Sequence, residues 1–482
     1  MLKTNIEAAK QLIADRQELL ALPKGQLVDL ILMMREQIAS LQDRMAALEK
    51  NSTNSSKPPS SDMPGSGGGG RSGKAAPNHQ HNSRQPSGRH SGGQPGHQGS
   101  TRELVPNPDS VTICAPNACE GCGSSLAITD NPGTIIARSQ VIDIPPIVPV
   151  TTEYQAVALT CACGHVTHGQ LPTVAPLSGT VTIGPNASSL LVYLNSAHHL
   201  PYARLQQVAA DLFGLPLSQG TIANKLETAG CAATPVTQTI LEYLRASSSV
   251  GSDETGVRVA GKRIWQWVWQ NARASYYAIS EHRDYQTVKD SFGESFQGCL
   301  IHDCYSAQNN TPAGWHQLCH AHLLRDLQFV IDTEHSAWAC RLQGFLIRAQ
   351  RARDHIWTAG FDPDIREQVI DQYYQQLEQF VRQPLASKEA ARLQKRFRKH
   401  EEKILYFMTT PGIPPDNNGS ERAIRNAKVK QKVSGGYRSH RGAERQAALL
   451  SVIETAKKQG LNVLEVIRQL VRGETVLLFG AE

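Results

Sequence analysis

The sequence predicts an α/β core set among helical and cysteine-bearing modules. Three observations carry that prediction. At 482 residues the chain is too long for a single core, and roughly three domains are expected. Gly251–Asn271, GSDETGVRVAGKRIWQWVWQN, alternates in β fashion, turns at Ala260-Gly261-Lys262 and returns through Ile264–Trp269. Two β-rich runs around a glycine-containing turn make a hairpin. Beyond it, the β-type run Ser275–Ser280, a helical Tyr285–Phe292 and the buried-strand pattern Gly298–Asp303 alternate strand with helix.

Composition narrows the class. Apolar residues make up 40% and charged residues 19%, so most of the chain can be globular. The net charge of +6 is a mild bias toward polyanions. No run of about 18 apolar residues occurs, so no membrane span is expected. The first residues, MLKTNIEAAKQLIADRQELL, are charged throughout and lack an apolar signal core, which predicts a cytoplasmic protein. Ten cysteines in that compartment read as thiols or metal ligands rather than disulfides.

Residues 1–50 read as helix from about residue 5, interrupted at Pro23. Leu27, Met34, Leu41 and Leu48 fall on one seam position of a heptad, and Ile31, Ile38 and Met45 on the other. That pattern favours a two-stranded parallel coiled coil and a homodimer; the alternative is an amphipathic helix packed on its own protein. Residues 51–100 are dominated by Gly, Ser, Pro and Asn. They cannot bury enough apolar surface to offset their ordering entropy, so a disordered linker is expected. Lys57, Arg71, Lys74, Arg84 and Arg89 against Asp62 make it basic, with non-specific phosphate contact as a second role.

Residues 101–177 carry Cys119-x-x-Cys122 and Cys161-x-Cys163, the second followed by Gly164 and His165. Two close thiol pairs can converge on one tetrahedral zinc ion, with glycine permitting the tight turns. Cys114 and His165 are substitute ligands. β-type segments are expected at Ile135–Ile144 and Thr152–Leu159. Residues 178–245 read as short helices: Asn186–His199, Tyr202–Phe213 and, after a turn at Gly214–Leu217 and a Ser218 cap, Gln219–Ala229. Helix, glycine turn, helix is helix-turn-helix grammar, and it would present Ser218, Gln219, Thr221, Asn224 and Lys225 to a major groove. An ordinary helical hairpin is the plainer reading.

Residues 246–331 hold Asp253 on the first strand and Asp303 at the end of a buried one. Trp315–Ile331 is expected to turn helical with Cys319, His320, His322 and Arg325. His-x-His spacing puts the two imidazoles on different helix faces, so structural or substrate contacts are favoured over metal there. Residues 332–412 are helical and charge-rich at Trp338–Trp357, Pro363–Arg382 and Ser387–Met408. Arg392, Lys395, Arg396, Arg398 and Lys399 form a basic face that either is solvated or touches DNA. In residues 413–457, Asn417 or Asn418 can cap a helix bearing Glu421, Arg422, Arg425, Lys428, Lys430 and Lys432, with a further helix at Gly442–Gln459. Residues 458–482 hold a last helix near Val463–Val471.

Two aspartates and a glutamate, all oxygen donors, suit hard cations such as Mg²⁺ or Mn²⁺. A two-metal site with ions about 3.5–4 Å apart stabilises attacking and leaving oxygens together, so no Ser or Cys nucleophile is needed. Each acid alone is a weak signal, whereas the ordered set is stronger.

Ser252-Asp253-Glu254-Thr255, Ile301-His302-Asp303-Cys304-Tyr305, Asn417 through Arg425, and Ser434-Gly435-Gly436-Tyr437-Arg438 through Ser451–Ala456 together resemble the bacterial insertion-sequence-66 family of DDE transposases. The resemblance covers nearly the whole chain. It implies a ribonuclease-H-like core, split between 246–331 and 413–457 by the helical insertion. It also implies cleavage at transposon ends and attack of the freed 3′-hydroxyl on target DNA. Asp253, Asp303 and Glu421 take the metal-ligand roles, and Cys119, Cys122, Cys161 and Cys163 match the zinc segment. Arg422 and Arg425, beside Glu421, are expected on the DNA. Transposon-end DNA, target DNA, a second copy of the chain and small accessory proteins are the implied partners. A DNA-binding regulator with an inactive core and a ribonuclease-H-like repair nuclease are the competing readings.

Overall fold

The computed structural model describes residues 23–49, 96–99, 102–126, 134–171, 181–358 and 360–480. Residues 5–22 and most of the expected linker lie outside the described residues. Helix α1, Lys24–Glu49, begins directly after Pro23, as expected of a residue that cannot continue a helix on its N-terminal side. Its seam residues Ile31, Met34, Ile38 and Leu41 face solvent.

Residues 102–126 and 134–157 have almost no regular secondary structure and are largely exposed. Ile135–Ile144 forms no ladder, and of Thr152–Leu159 only the last two residues enter a strand. That strand, β1 (Ala158–Thr160), pairs antiparallel with β2 (Val166–His168). The expected β segments failed for a physical reason. Alternating β-branched residues favour extended backbone, but a strand also needs a neighbour edge and a surface to cover. Ile136, Val141 and Ile144 have neither and stay exposed.

From residue 185 the chain folds into packed layers. Helix α2 (Pro185–Val192) continues through a wider π-type turn, Tyr193–Ala197. Helix α3 (Tyr202–Phe213) ends on Gly214 in the left-handed conformation, φ 59°. Ser218 caps α4 as expected, its hydroxyl accepting from Thr221 N at 3.0 Å. However, α4 runs from Gln219 to Arg245, well past Ala229, and carries Pro235 inside it. Its buried residues recur from Ile222 and Leu226 through Ile240, Leu241 and Leu244, and this stripe against the sheet outweighs the proline.

Five strands make the central sheet: β3 (Ser249–Val259), β4 (Lys262–Gln270), β5 (Ser275–Ser280), β6 (Phe296–His302) and β7 (Ala313–Leu318), in the order β5-β4-β3-β6-β7. The first three are antiparallel. The β3–β4 turn is made by Ala260 and Gly261, both at positive φ, a turn whose twist suits a hairpin. β6 runs parallel to β3, and β7 parallel to β6. Helices α5 (Tyr285–Ser291) and α6 (Ser306–Asn309) supply the crossovers. Trp315–Leu318, expected as helix, is strand β7. Its pairing along β6 decides its conformation, and the helix α7 starts only at His320 and ends at Glu334.

The insertion follows as α8 (Ala337–Thr358), α9 (Pro363–Arg382) and α10 (Lys388–Lys399). The single helix expected over Ser387–Met408 is broken. After α10 come a tight turn at Glu401–Lys403 and the short α11, Tyr406–Thr409. One straight helix could not bury Leu393, Phe397, Ile404, Leu405, Phe407 and Met408 together, and all six are buried. The chain returns through α12 (Asn418–Ser434), α13 (His440–Lys458) and α14 (Val463–Arg472).

Two cores result. Trp267 and Trp269 pack with Leu226, Ile240 and Leu244 of α4, Leu449 and Ile453 of α13 and Ile467 of α14. Helix α4 and the last helices thus share the core of one sheet face. The second core joins Ile301 and Leu318 to Leu327, Phe345, Phe397 and Phe407, fixing the insertion against the β6–β7 side. No described helix is long and apolar enough to cross a membrane.

Candidate active site and nucleic-acid interface

The site grows from strand register. The parallel ladder between β3 and β6 ends at Gly251 opposite Ile301. Asp253 and Asp303 each follow two residues later, so both lie on the face that Gly251 and Ile301 share. Asp253 is half-buried, and its Oδ1 accepts from Glu254 N at 2.8 Å. Asp303 Oδ1 accepts from Tyr305 N at 3.1 Å. His302, wholly buried, bonds through Nδ1 to the Asp303 carbonyl and through Nε2 to His316 Nδ1 at 3.0 Å, which stiffens the strand end.

Glu421 arrives on the first turn of α12. That helix is tied to β3 by Asn417, whose Nδ2 donates to Ser252 O at 2.7 Å. Ser420 Oγ donates to Asn417 Oδ1 at 2.6 Å, and Asn417 N donates to Cys319 Sγ at 3.1 Å. Asn417 stands at the cap position, yet its side chain does not cap the helix because it is spent on the strand. Close approach requires glycine here. A Cβ on Gly251 would stand 2.5 Å from Asn417 Oδ1 and 2.7 Å from Ser420 Oγ.

The three acids sense one another. Burial raises the Asp253 carboxyl well above the usual carboxylate range, and the charges of Glu254, Asp303 and Glu421 push the same way. Glu254, on the other side of the strand, is buried in an ion pair with Arg283 and accepts from Gln308. Arg283 is held in place by stacking on Tyr305, 3.8 Å from the ring centre. Among the described residues no three His, Cys, Asp or Glu side chains converge closely enough to hold one ion.

Two residues of α7, His322 and Arg325, join the acids at the site. Arg325 Nη2 donates to Glu421 Oε1 at 3.1 Å, and His322 Nε2 lies 3.7 Å from the same oxygen. The i,i+3 spacing of His322 and Arg325 puts them on one face of α7, a signal that the sequence carries. His320 is structural: it is buried between Ile404 O at 2.8 Å and Gln350 at 3.0 Å. Burial lowers the His322 pKa, and Arg325 lowers it further.

Beside the acids, Arg422, Arg425, Lys428 and Lys432 are exposed along one side of α12. A cavity of about 780 Å³ adjoins its N-terminal end, lined by Arg422, Asn417, Gln270, Asn271 and Lys458 among others. On α4, Ser218, Gln219 and Asn224 are exposed while Thr221 and Lys225 are half-buried. The basic face of α10 is partly engaged: Arg396 pairs with Asp326, and Arg398 Nε donates to Val381 O at 2.9 Å.

Both cysteine pairs occupy tight turns. Cys119 N donates to Ser124 O at 2.9 Å, and Gly123, at φ 73°, completes that turn. Cys161 N donates to His165 O at 2.8 Å, with Gly164 at φ 85°. The Cys122 thiol is pushed down by Ser124 and by Cys119, and Cys161 by Cys163. Each pair is thus close within itself.

The profile described as Transposase IS66 family matches residues 180–445. The chain belongs to the Transposase IS66 family. The match takes in the whole sheet, the insertion and all three acids of this IS66-family protein. Residues 5–103 match a second profile, described as a family of unknown function. The chain is similar to the uncharacterized protein y4hP of Sinorhizobium fredii, 24% identical over 396 residues, which cover 72% of this chain and 69% of that protein. It is also similar to the uncharacterized protein y4jD of the same organism, 23% identical over 420 residues covering 77% and 78%.

Gly251→Ala should lower stability by about 1–3 kcal/mol through overpacking against Asn417 and Ser420, read as a reduced denaturation midpoint. Asp253 is the case of a carboxyl raised in the folded state. Its contribution to stability is complete below the unfolded value of about 3.9 and is lost as pH rises through the folded value. Asp253→Asn should therefore raise the melting temperature of metal-free protein at pH 7, and the gain should shrink as pH falls toward about 4.

Proposed function

We propose that this IS66-family chain is a DNA transposase with a ribonuclease-H-like core, in which Asp253, Asp303 and Glu421 hold divalent metal ions for strand cleavage and strand transfer. The observation that carries the reading is that the charges of Asp303 and Glu421, both distant in sequence, reach the buried Asp253 carboxyl and raise it. The strand order, with one acid on the central strand and one past its parallel neighbour, supports the fold assignment.

The donor set fits Mg²⁺ or Mn²⁺. It is made of oxygen alone, and its carboxylates repel one another in a partly desolvated site, a cost that a cation relieves. Bound there, such ions would supply charge stabilisation to the attacking and leaving oxygens of a phosphodiester. The protein's own part is positioning. The β3–β6 register sets the aspartates side by side, and the Asn417 tie holds Glu421 on the helix facing them. The exposed Arg422, Arg425, Lys428 and Lys432 can track the phosphate backbone beside the acids. Ser218, Gln219, Thr221, Asn224 and Lys225 open α4 and are offered to the groove of terminal DNA. The solvent-facing seam of α1 supports a homodimer that gathers two ends. The turns carrying Cys119, Cys122, Cys161 and Cys163 fit zinc in donor chemistry, two thiols to each turn.

Purified protein with Mg²⁺ or Mn²⁺ should cut and join DNA carrying the ends that flank its gene. Asp253→Ala and Glu421→Ala should each lower cleavage by about a thousandfold or more while leaving end binding within about threefold. Binding without metal-dependent cleavage in the parent protein would instead point to a regulator, and nicking without joining to a repair nuclease. Elemental analysis of protein purified without chelator should find about one zinc per chain, lost on Cys122→Ser; zinc-free parent protein would remove that assignment.

A further inference from the structure

The Glu421 carboxylate is already engaged. Arg325 Nη2 donates to its Oε1 at 3.1 Å, and His322 Nε2 stands 3.7 Å from the same atom. The first is a charge-assisted hydrogen bond; the second is too long for a hydrogen bond but within reach of charge. Both groups come from one face of α7, which follows β7 and is fixed by the second core through Leu323 and Leu327. His322 Nδ1 is buried and has no hydrogen-bond partner, and the ring also feels the charges of Asp303 and Asp326. At Glu254 the other basic partner, Arg283, locks a carboxylate whose side chain is 1% exposed. Glu421 differs: its side chain is 26% exposed and that of Arg325 28%, so water can reach the pair and the pair can exchange.

We propose that Arg325, with His322 beside it, is a latch on Glu421: it holds the carboxylate next to the aspartates and must yield it before the acidic site can close on a cation. The inference rests on the metal-ion reading of Asp253, Asp303 and Glu421 given above. While latched, Glu421 is oriented but partly neutralised, so a divalent ion has to compete with a guanidinium for the same oxygen. Once released, Arg325 and His322 are left facing the site, placed to meet the phosphate of a bound strand. In the latched state both are positioning residues, since they act through Glu421.

The test separates latch from metal site. Mn²⁺ alone is titrated into full-length protein without DNA, following the melting temperature and Mn²⁺ electron paramagnetic resonance, for the parent, Asp253→Asn, Arg325→Met, Arg325→Lys and His322→Gln. Single-turnover cleavage of end DNA is measured alongside. The latch predicts that Arg325→Met binds Mn²⁺ about three- to tenfold more tightly than the parent, yet cleaves more slowly at saturating Mn²⁺. Arg325→Lys, which keeps the charge but not the fork, should fall between, and His322→Gln should shift Mn²⁺ binding in the same direction by less. Equal Mn²⁺ affinity in the parent and both Arg325 variants, with the parent binding and Asp253→Asn not, would overturn the latch and leave the metal site standing. Should the parent itself fail to bind Mn²⁺, the metal-ion reading falls and the latch falls with it. If Arg325→Met does not fold, Arg325→Lys and His322→Gln decide alone by the same two readouts.

Discussion

The site depends on one buried amide. Asn417 donates to the Ser252 carbonyl, accepts from Ser420 and receives nothing from bulk water, since its side chain is buried between β3 and α12. Leaving such a group unpaired costs roughly 1–3 kcal/mol, so helix and strand are held at one separation and one rotation. Gly251 and Gly419 make that separation possible: a Cβ on Gly419 would fall 2.5 Å from Gln270 Nε2. On the strand Asp253 directly follows the tied Ser252, and on the helix Glu421 lies four residues past Asn417. The position of the third acid relative to the first is therefore set by hydrogen bonds that contain neither acid.

The second aspartate is placed by a different device. β6 pairs parallel with β3 as far as Ile301, Asp303 follows directly past the strand end at His302, and the turn there is braced from behind. Cys319 N donates to His302 O at 2.8 Å, His320 N donates to Pro415 O at 2.9 Å, and Asn417 N donates to Cys319 Sγ. One short segment, Cys319-His320, thus touches the end of β6 and the approach to α12 at once. The insertion connects at this seam, with Gln317 Nε2 and His320 Nε2 both reaching Ile404 O at 2.8 Å. Residues 332–412 separate Glu421 from the aspartates in sequence but bring it back to them in space.

Much of this was legible in the sequence, and the reasons differ by element. The hairpin, β5, α9 and the Ser218 cap were readable because turn chemistry and periodicity are local. Asp303 was readable as a strand end because Cys299, Leu300 and Ile301 form a short apolar run. β7 was not readable. Its residues Trp315-His316-Gln317-Leu318 carry no strong alternation, and only the neighbouring edge of β6 makes them a strand. Ile135–Ile144 shows the converse, local β preference without an edge to join. Asn417 invited the reading of a cap because Asn before a helix usually is one; its true partner lies 165 residues away. Arg325 and Glu421 are separated by 96 residues, and no periodicity links them. Such partners become visible only when the topology is known.

The two basic residues at the site show how burial divides similar ion pairs into different roles. Arg283 and Glu254 meet at a carboxylate that is 1% exposed although the Arg283 side chain keeps 34%, with Gln308 and the Tyr305 ring packed on the pair. Removing one partner there would strand a charge, so that pair acts as a fixed strut behind Asp253. Arg325 and Glu421 meet at the open side, where solvent lowers both the strength of the pair and the penalty for parting. Asp253 and Asp303 lie between these pairs, and among the described residues neither is in an ion pair. Their repulsion is a cost carried by the folded state at Asp253, whose buried carboxyl it helps to raise. Among the described residues around them, the Glu421 carboxylate sits on a helix end, is half-buried and has a partner that water can reach. Any rearrangement that gathers the three acids more tightly would therefore begin with Glu421 and leave the register-locked aspartates where they are.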